Sequence, residues 1–273
     1  DAPSLFGMDI LLSGDGNTLV VGTPSTDYVD HPGHIDIYQF DEETSDWLAK
    51  GNPVLGVTSD FGTGWNVQLS ADGNTMVVGV PYADVTGEDT GAVDTYEWDG
   101  ETWQSIGSPL VMPTLDEIIQ GANTGLYFGV STQLSADGKT LGTGSLSADE
   151  NGNYAVRVDT YERDGAGANW QSRGDPFLSD YLPLAERLAQ TKNGQLSADG
   201  NTLVLGSPNS AENGFDSGRV DVYAWDGSSW QAKGNPLLGF NEYGRFGESI
   251  QVSADGNRFV VATRGYNPST GLD

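Results

Sequence analysis

Four stretches of the chain alternate strictly between apolar and polar positions. They are Ile35-Asp36-Ile37-Tyr38, Val93-Asp94-Thr95-Tyr96, Val158-Asp159-Thr160-Tyr161 and Val220-Asp221-Val222-Tyr223. A period of two sends successive side chains to opposite faces, so each run predicts a two-faced strand. Upstream of each lies a more continuously apolar run, such as Thr75-Met76-Val77-Val78-Gly79, which predicts a more deeply buried strand that closes at Pro81, where a backbone donor is missing. Before that comes a short alternating strand opened by Phe-Gly, as in Phe61-Gly62 leading to Trp65-Asn66-Val67-Gln68-Leu69-Ser70. A fourth strand is headed by Trp47, Trp103, Trp170 or Trp230 and finishes at a Gly-x-Pro such as Gly51-Asn52-Pro53.

The link between the first two strands is nearly the same five times. Leu12-Ser13-Gly14-Asp15-Gly16-Asn17-Thr18 returns at Leu69–Thr75, Leu134–Thr140, Leu196–Thr202 and Val252–Arg258, at spacings of 57, 65, 62 and 56 residues. Its Asp-Gly pair predicts a tight hairpin with positive φ. Four antiparallel strands in each period of this length predict one propeller blade. The expected fold is therefore all-β, a single β-propeller over residues 1–273, with repeats at about 5–56, 60–112, 127–179 and 193–239 and a partial one at 246–273. That makes about four and a half blades of four-stranded antiparallel sheet. A piece of a longer propeller is the expectation, with completion by another chain or an atypical ring as alternatives. Helix is expected only in the connections, over Leu184–Ala189 and Leu115–Ile119.

The brackets Phe6-Gly7…Gly22-Thr23-Pro24 and Phe61-Gly62…Gly79-Val80-Pro81 resemble the FG-GAP repeat, the blade unit of the integrin α-subunit propeller and of many secreted microbial proteins. The Ser-Ala-Asp-Gly-Asn-Thr turn and the Trp…Gly…Pro-Leu ending are similar to a subgroup found in large extracellular proteins of marine microbes and algae. Some repeats depart from the pattern: Gly144-Ser145-Leu146 in the third, Asn193-Gly194 in the fourth, Ala262-Thr263-Arg264 in the fifth. The resemblance implies an extracellular or cell-surface location and an adhesive role. The calcium loop carried by many integrin-type repeats does not transfer, because the four-residue Ala-Asp-Gly-Asn turn is too short to surround a cation.

Charge narrows the partners. Acidic residues number 39 against 12 basic ones, a net charge of −27. Repulsion disfavours nucleic acid and anionic membrane surfaces as partners. Cations, cationic proteins and neutral polymers remain open. There is no cysteine, so disulfides and thiolate chemistry are excluded. No apolar run reaches the length of a membrane helix.

The variable loops between second and third strands carry the candidate chemistry. Their oxygen ligands are Asp27 and Asp30; Asp84, Glu88 and Asp89; Asp149, Glu150, Asn151 and Asn153; and Asn209, Glu212, Asn213 and Asp216. Calcium takes hard oxygens on flexible loops, which nominates Asp84, Glu88, Asp89, Asp149, Glu150, Asn153, Glu212 and Asp216 as its ligands. Solvated loop carboxylates are the competing reading. The mid-strand Asp36, Asp94, Asp159 and Asp221 are expected to accept hydrogen bonds from a neighbouring blade, with a ring of cation ligands as the alternative. His31 and His34, beside Asp30, are expected to be plain surface residues. Tyr28, Tyr82, Tyr154, Phe215 and Tyr266 would stack on sugars, anchor a protein partner or fold back over the blade tops.

No catalytic residue stands out. The expectation is an extracellular, non-enzymatic propeller for adhesion or matrix assembly, binding protein or polysaccharide through acidic loops. A protomer whose partial blade is completed by another chain is the alternative. A propeller glycoside hydrolase or lyase, which needs two separated carboxylates, is the minor one.

Overall fold

The computed structural model describes residues 5–25, 33–56, 62–112, 126–148, 154–165, 169–178 and 194–264. Blade one comprises β1 (Asp9–Leu12), β2 (Thr18–Thr23), β3 (His34–Asp41), β4 (Asp46–Ala49) and a short β5 (Val54–Leu55). Blade two comprises β6 (Asn66–Leu69), β7 (Thr75–Val80), β8 (Ala92–Trp98) and β9 (Trp103–Ser105). Blade three has β10 (Ser131–Leu134), β11 (Thr140–Ala148), β12 (Tyr154–Glu162), β13 (Gln171–Ser172) and β14 (Phe177–Leu178). Blade four has β15 (Gly194–Leu196), β16 (Thr202–Ser207), β17 (Arg219–Trp225), β18 (Trp230–Ala232) and β19 (Leu237–Leu238), and blade five has β20 (Ser249–Val252) and β21 (Phe259–Ala262). Strands pair antiparallel in chain order within each blade, and the first strands β1, β6, β10, β15 and β20 neighbour one another in turn. This is the β-propeller that the repeat predicts. Both helical expectations, over 184–189 and 115–119, lie outside the described residues.

The fourth strand is longer in effect than the sequence suggests. After Gly51, Gly174 and Gly234, each at positive φ, the chain bends and pairs a second time with the third strand. Thus β5, β14 and β19 join β3, β12 and β17 above the register of β4, β13 and β18. Leu110 makes the same contact with Val93 in blade two. The Gly-x-Pro ends the strand locally without ending its partnership.

The repeated turn also differs from a two-residue hairpin. Gly73 has φ +64 whereas Asp72 does not enter positive φ, and the Gly73 N–H donates to the Ser70 carbonyl at 3.0 Å. Side chains complete it. Ser70 Oγ donates to Asp72 Oδ1 at 2.6 Å and accepts from the Thr75 N–H at 2.9 Å, while Asp72 accepts from the Asn74 N–H at 3.1 Å. The serine–aspartate bond recurs in every copy. It explains why Ser, Asp and Gly are fixed while the residue between Ser and Asp varies.

The core lies between blades. Val20, Ile35 and Ile37 of blade one pack with Val67, Leu69, Met76 and Val78 of blade two. Val77 and Val93 pack with Phe128, Leu141 and Tyr161 of blade three, and Val204 and Val220 with Ile250 of blade five. The second strand can come this close because Gly79, like Gly22 and Gly206, has no side chain. A Cβ there would overlap the carbonyl oxygen of Gly129, and the other two would meet Gly64 and Gly247. At these three junctions the Gly-x-Pro glycine of one blade therefore meets the opening glycine of the next, which in blade two is Gly64, two residues after the Gly62 of the Phe61-Gly62 pair.

Polar links run through the same junctions. The turns form a backbone row in which Asp15, Ala71, Ala136 and Ala198 donate N–H to the carbonyls of Ala71, Ala136, Ala198 and Ala254 at 2.7–3.1 Å. The side chains of Asp9 and Asn66 accept from the N–H groups of Val67 and Thr132, both at 2.8 Å. The indoles of Trp103, Trp170 and Trp230 donate back to Lys50, Thr95 and Thr160 of the preceding blade at 2.8–3.2 Å. The repeated tryptophans thus fill the wedge between sheets and satisfy their own donors there.

Candidate functional site

Second and third strands end and begin at the end of each blade where the first strand begins, so the described variable loops, of blades two and four, rise on one face. Loops two and four share a local design. Asp89-Thr90-Gly91 and Asp216-Ser217-Gly218 hold equivalent places, and Asp89 and Asp216 sit at φ +51 and +49. Aspartate is among the few non-glycine residues that take this conformation without much strain. The carbonyls of Asp89 and Thr90 accept from the N–H groups of Tyr127 and Phe128, both at 3.0 Å, and those of Asp216 and Ser217 accept from Arg245 and Phe246. Thr90 and Ser217, both buried, reach back to the loop carbonyls of Ala83 and Ser210. Each loop is thereby clipped to the start of the next blade. The paired Asp-Thr/Ser-Gly triplet was visible in the sequence and could have identified this clip.

The nominated metal ligands separate accordingly. Asp84, Glu88 and Asp89 share loop two, where Asp84 Oδ1 accepts from the Asp89 N–H at 2.8 Å. Partial burial, then the neighbouring carboxylates of Asp84 and Glu88, raise the proton affinity of Asp89. In loop four Glu212 pairs with Arg219, which also holds Asp221 in a two-pronged contact of 2.7 and 2.8 Å. Asp216 belongs to the clip. Asp149, Glu150 and Asn153, with Asp27, Asp30 and Asn151, lie outside the described residues. Among the described residues no three acidic or histidine side chains converge as a metal site. Asn213 donates instead to the Gly239 carbonyl at 2.8 Å.

Three of the four mid-strand aspartates find partners on their own strand. Asp36 faces His34 at 3.4 Å, Asp159 takes both prongs of Arg157 at 2.7 Å, and Asp221 takes Arg219. Residues two apart share a strand face, so the partner two positions earlier was legible in the sequence and overlooked. Ala92 stands at that place in blade two, and Asp94 engages another group. His34 is accounted for by this pairing; His31 lies outside the described residues.

Aromatic side chains gather beside the acidic loops. Trp65, Tyr82 and Tyr127 form an edge-to-face chain with centroids 5.9 and 5.5 Å apart, and the buried Trp65 indole N–H meets no acceptor among the described residues. Over blades four and five, Phe215 and Tyr243 lie 5.4 Å apart and are 60% and 40% exposed. Among the described residues six non-glycine residues lie at positive φ, and five of them (Asp89, Tyr127, Asp216, Tyr243 and Arg245) belong to this face. Tyr28 and Tyr266 lie outside the described residues, and so does the side chain of Tyr154.

No family model and no curated protein matches the chain. Solved structures do. Acylaminoacyl peptidase from Pyrococcus horikoshii is 10% identical with a TM-score of 0.53, over 95% of this chain and 35% of that one. The β-propeller domain of the trilobed protease from Pyrococcus furiosus is 10% identical with a TM-score of 0.48, over 96% and 64%. A hypothetical selenium-binding protein from Sulfolobus tokodaii is 10% identical with a TM-score of 0.47, over 84% and 54%. The chain thus spans about one third to two thirds of these structures. Likeness to a peptidase withdraws the expectation that this chain is not an enzyme, since the same fold accompanies catalysis there; at this identity it carries over neither the reaction nor its residues. The chain is an all-β propeller of about four to five blades.

Proposed function

We propose that the chain is an FG-GAP-like binding propeller of the cell surface or extracellular matrix. It holds a protein or polysaccharide through the face that carries the variable loops. The observation that carries this reading is the concentration of left-handed, non-glycine backbone on that face, beside exposed aromatic rings and carboxylates. At Tyr127, Tyr243 and Arg245 such backbone costs about 1–3 kcal/mol per residue and persists where the surroundings impose it. A face so fixed loses little further freedom on binding, so modest contacts at several loops add up.

Ring faces such as Phe215 and Tyr243 suit the apolar face of a neutral sugar or a protein anchor, and the acidic rim rejects sulfated or phosphorylated polymers. Calcium at the Asp84, Glu88 and Asp89 loop would neutralise part of that rim. The test is electrophoresis through gels containing neutral or sulfated polysaccharides, with calcium and with chelator. Retardation by a neutral polymer, lost in Phe215→Ala/Tyr243→Ala, supports the reading. Equal mobility of parent and variant in every gel, together with no difference in capture by cationic matrix proteins, rejects it.

A further inference from the structure

Blades one and two leave a groove between them at the end that carries the repeated turns, opposite the described variable loops. Gln39 pairs with Thr18, the residue that leaves the first turn, and Leu48 pairs with Gln39. Paired residues share a sheet face, so Gln39 and Leu48 form one wall, and Trp98 at the end of β8 belongs to the other. The groove encloses ≈ 540 Å³, with Lys50 also lining it. Small-molecule sites commonly enclose about 300–1,000 Å³. The indole of Trp98 is held in place. Trp103 lies 5.7 Å from it between ring centres, and a Cβ on Gly51 would come within 2.7 Å of its Cζ3. Leu48 is 50% exposed, so apolar surface remains open in the groove.

Its polar groups narrow the ligand. Gln39 Oε1 accepts from Thr18 Oγ1 at 3.4 Å, while the Gln39 amide N–H groups have no partner among the described residues. Asp41 and Glu42 bring carboxylate acceptors to the same groove. The ammonium of Lys50 is committed to Gly73, Thr18 and Asn74, and lies 5.5 Å from the Trp98 ring centre. It therefore offers no free charge to an anion and repels a second cation from the indole. The repeat supplies both a parallel and a contrast. Between blades three and four the same corner opens into a cleft of ≈ 630 Å³, where Glu162 and Gln171 hold the places of Gln39 and Leu48. Between blades two and three Arg163 stands in the place of Trp98 and reaches across to Glu97, in the place of Gln39, at 3.0 Å. That corner is bridged by an ion pair.

We propose that the groove between blades one and two is a saccharide subsite for a neutral hexose unit. The sugar ring lies between Trp98 and Leu48, with hydroxyl groups accepting from the Gln39 amide and donating to Asp41 and Glu42. The weakly positive C–H groups on one face of a pyranose suit the negative face of an indole. Sugar hydroxyls donate and accept together, which matches an amide donor beside carboxylate acceptors. Acidic sugars are repelled by Asp41 and Glu42, and amino sugars by Lys50. Because the indole is already fixed, little further freedom is lost on binding. The site lies on the opposite face from the variable loops and does not rest on their binding a ligand.

Saturation-transfer NMR on the 273-residue chain tests this with maltotetraose, cellotetraose, mannotetraose and galactotetraose, and tryptophan fluorescence gives the affinities. The expected result is transfer to the ring C–H protons of at least one of them. Trp98→Ala weakens that binding at least about tenfold, the scale of one lost ring contact. Leu48→Arg changes an exposed position and closes the groove as Arg163 closes its own corner. It weakens binding to a similar extent while circular dichroism shows an unchanged fold, and it decides the matter if Trp98→Ala fails to fold. Phe215→Ala/Tyr243→Ala leaves the affinity as it is. Absence of transfer to every one of these oligosaccharides overturns the proposal, and so does binding that survives Leu48→Arg. Binding lost in Phe215→Ala/Tyr243→Ala alone also overturns it, because the sugar then sits on the loop face.

Discussion

Lys50 donates through Nζ to the carbonyl oxygen of Gly73 at 2.8 Å, fastening the outer strand of blade one to the inner turn of blade two. The same ammonium reaches Thr18 Oγ1 and Asn74 Oδ1 at 3.1 and 3.2 Å and lies 5.5 Å from the ring centres of Trp98 and Trp103. Arg173 repeats the arrangement between blades three and four, on Thr140, Gly200 and Asn201, with Trp225 and Trp230 beneath it. In a chain so rich in acid, two of its scarce cations are placed where blades join.

Lys50→Met leaves three acceptors in a buried junction without their donor. An unmet buried acceptor costs about 1–3 kcal/mol, and part of it is recovered by water, so the expected loss is about 2–3 kcal/mol in urea unfolding. Lys50→Arg is expected to retain most of the stability, since Arg173 fills the equivalent place. A loss below 0.5 kcal/mol for Lys50→Met, about the scale of an ordinary surface substitution, would show that the clamp is ornamental.

The junction between blades two and three is clamped from the opposite side. Ile106 occupies the place of Lys50 and Arg173, and Arg163 stands where blades two and four carry Trp98 and Trp225. Arg163 donates to the Gly138 carbonyl at 2.9 Å and to Thr75 Oγ1 at 3.3 Å, and pairs with Glu97 at 3.0 Å. Arg163→Trp alone should destabilise, and Ile106→Lys alone should bring a second cation into an occupied site. The double variant rebuilds the arrangement of the other junctions, so a double-mutant cycle should give a favourable coupling of about 1–3 kcal/mol. Strict additivity would deny that the two positions serve one clamp.

The architecture was legible because one pattern recurs, and recurrence separates what a blade needs from what drifts. Strand order, the tryptophan wedge and the inter-blade glycines all follow from residues present in several copies. The loops were less legible. Asp89 and Asp216 looked like oxygen ligands because carboxylate composition is the same for a cation site and for a left-handed turn; only backbone φ separates them. The mid-strand pairs were missed because His34, Arg157 and Arg219 are chemically diverse and Ala92 breaks the series.

If Asp89 serves mainly to hold its left-handed turn, Asn should replace it well, since asparagine tolerates that conformation. Asp89→Asn also removes the repulsion from Asp84 and Glu88 that, after burial, raises its proton affinity. The expected outcome is a melting temperature equal to or a few degrees above the parent, whereas Asp89→Val, which resists positive φ, should lose about 1–3 kcal/mol. Sign considerations agree. A carboxylate with a raised folded pKa costs stability as pH rises from its unfolded value, and Asp89→Asn should flatten that decline. A calcium-dependent rise in the parent's melting temperature that Asp89→Asn abolishes would return the residue to the metal-ligand reading.

Acid should open the repeated turns together. Ser13 and the Asn17 N–H hold the Asp15 carboxyl below its ordinary range, and Ser253 and the Asn257 N–H do so at Asp255. At Asp72 and Asp199 burial pushes upward and is outweighed by the same serine and backbone donors. In the outer hairpin the N–H groups of Ser229 and Ser228 bring Asp226 down to about 2. A depressed folded pKa contributes stability above the unfolded value and loses it as pH falls toward the folded one. Stability should thus decline between about pH 4 and pH 2, with several protons taken up on unfolding. Relief of the −27 net charge acts in the opposite direction over the same range, so the two contributions must be separated. Ser70→Ala does this, because it removes one donor to Asp72 without changing net charge. Its deficit in melting temperature should be largest at neutral pH and shrink toward pH 2 to what loss of the Thr75 N–H bond leaves, whereas a gap independent of pH would assign the serine to that bond and to packing alone.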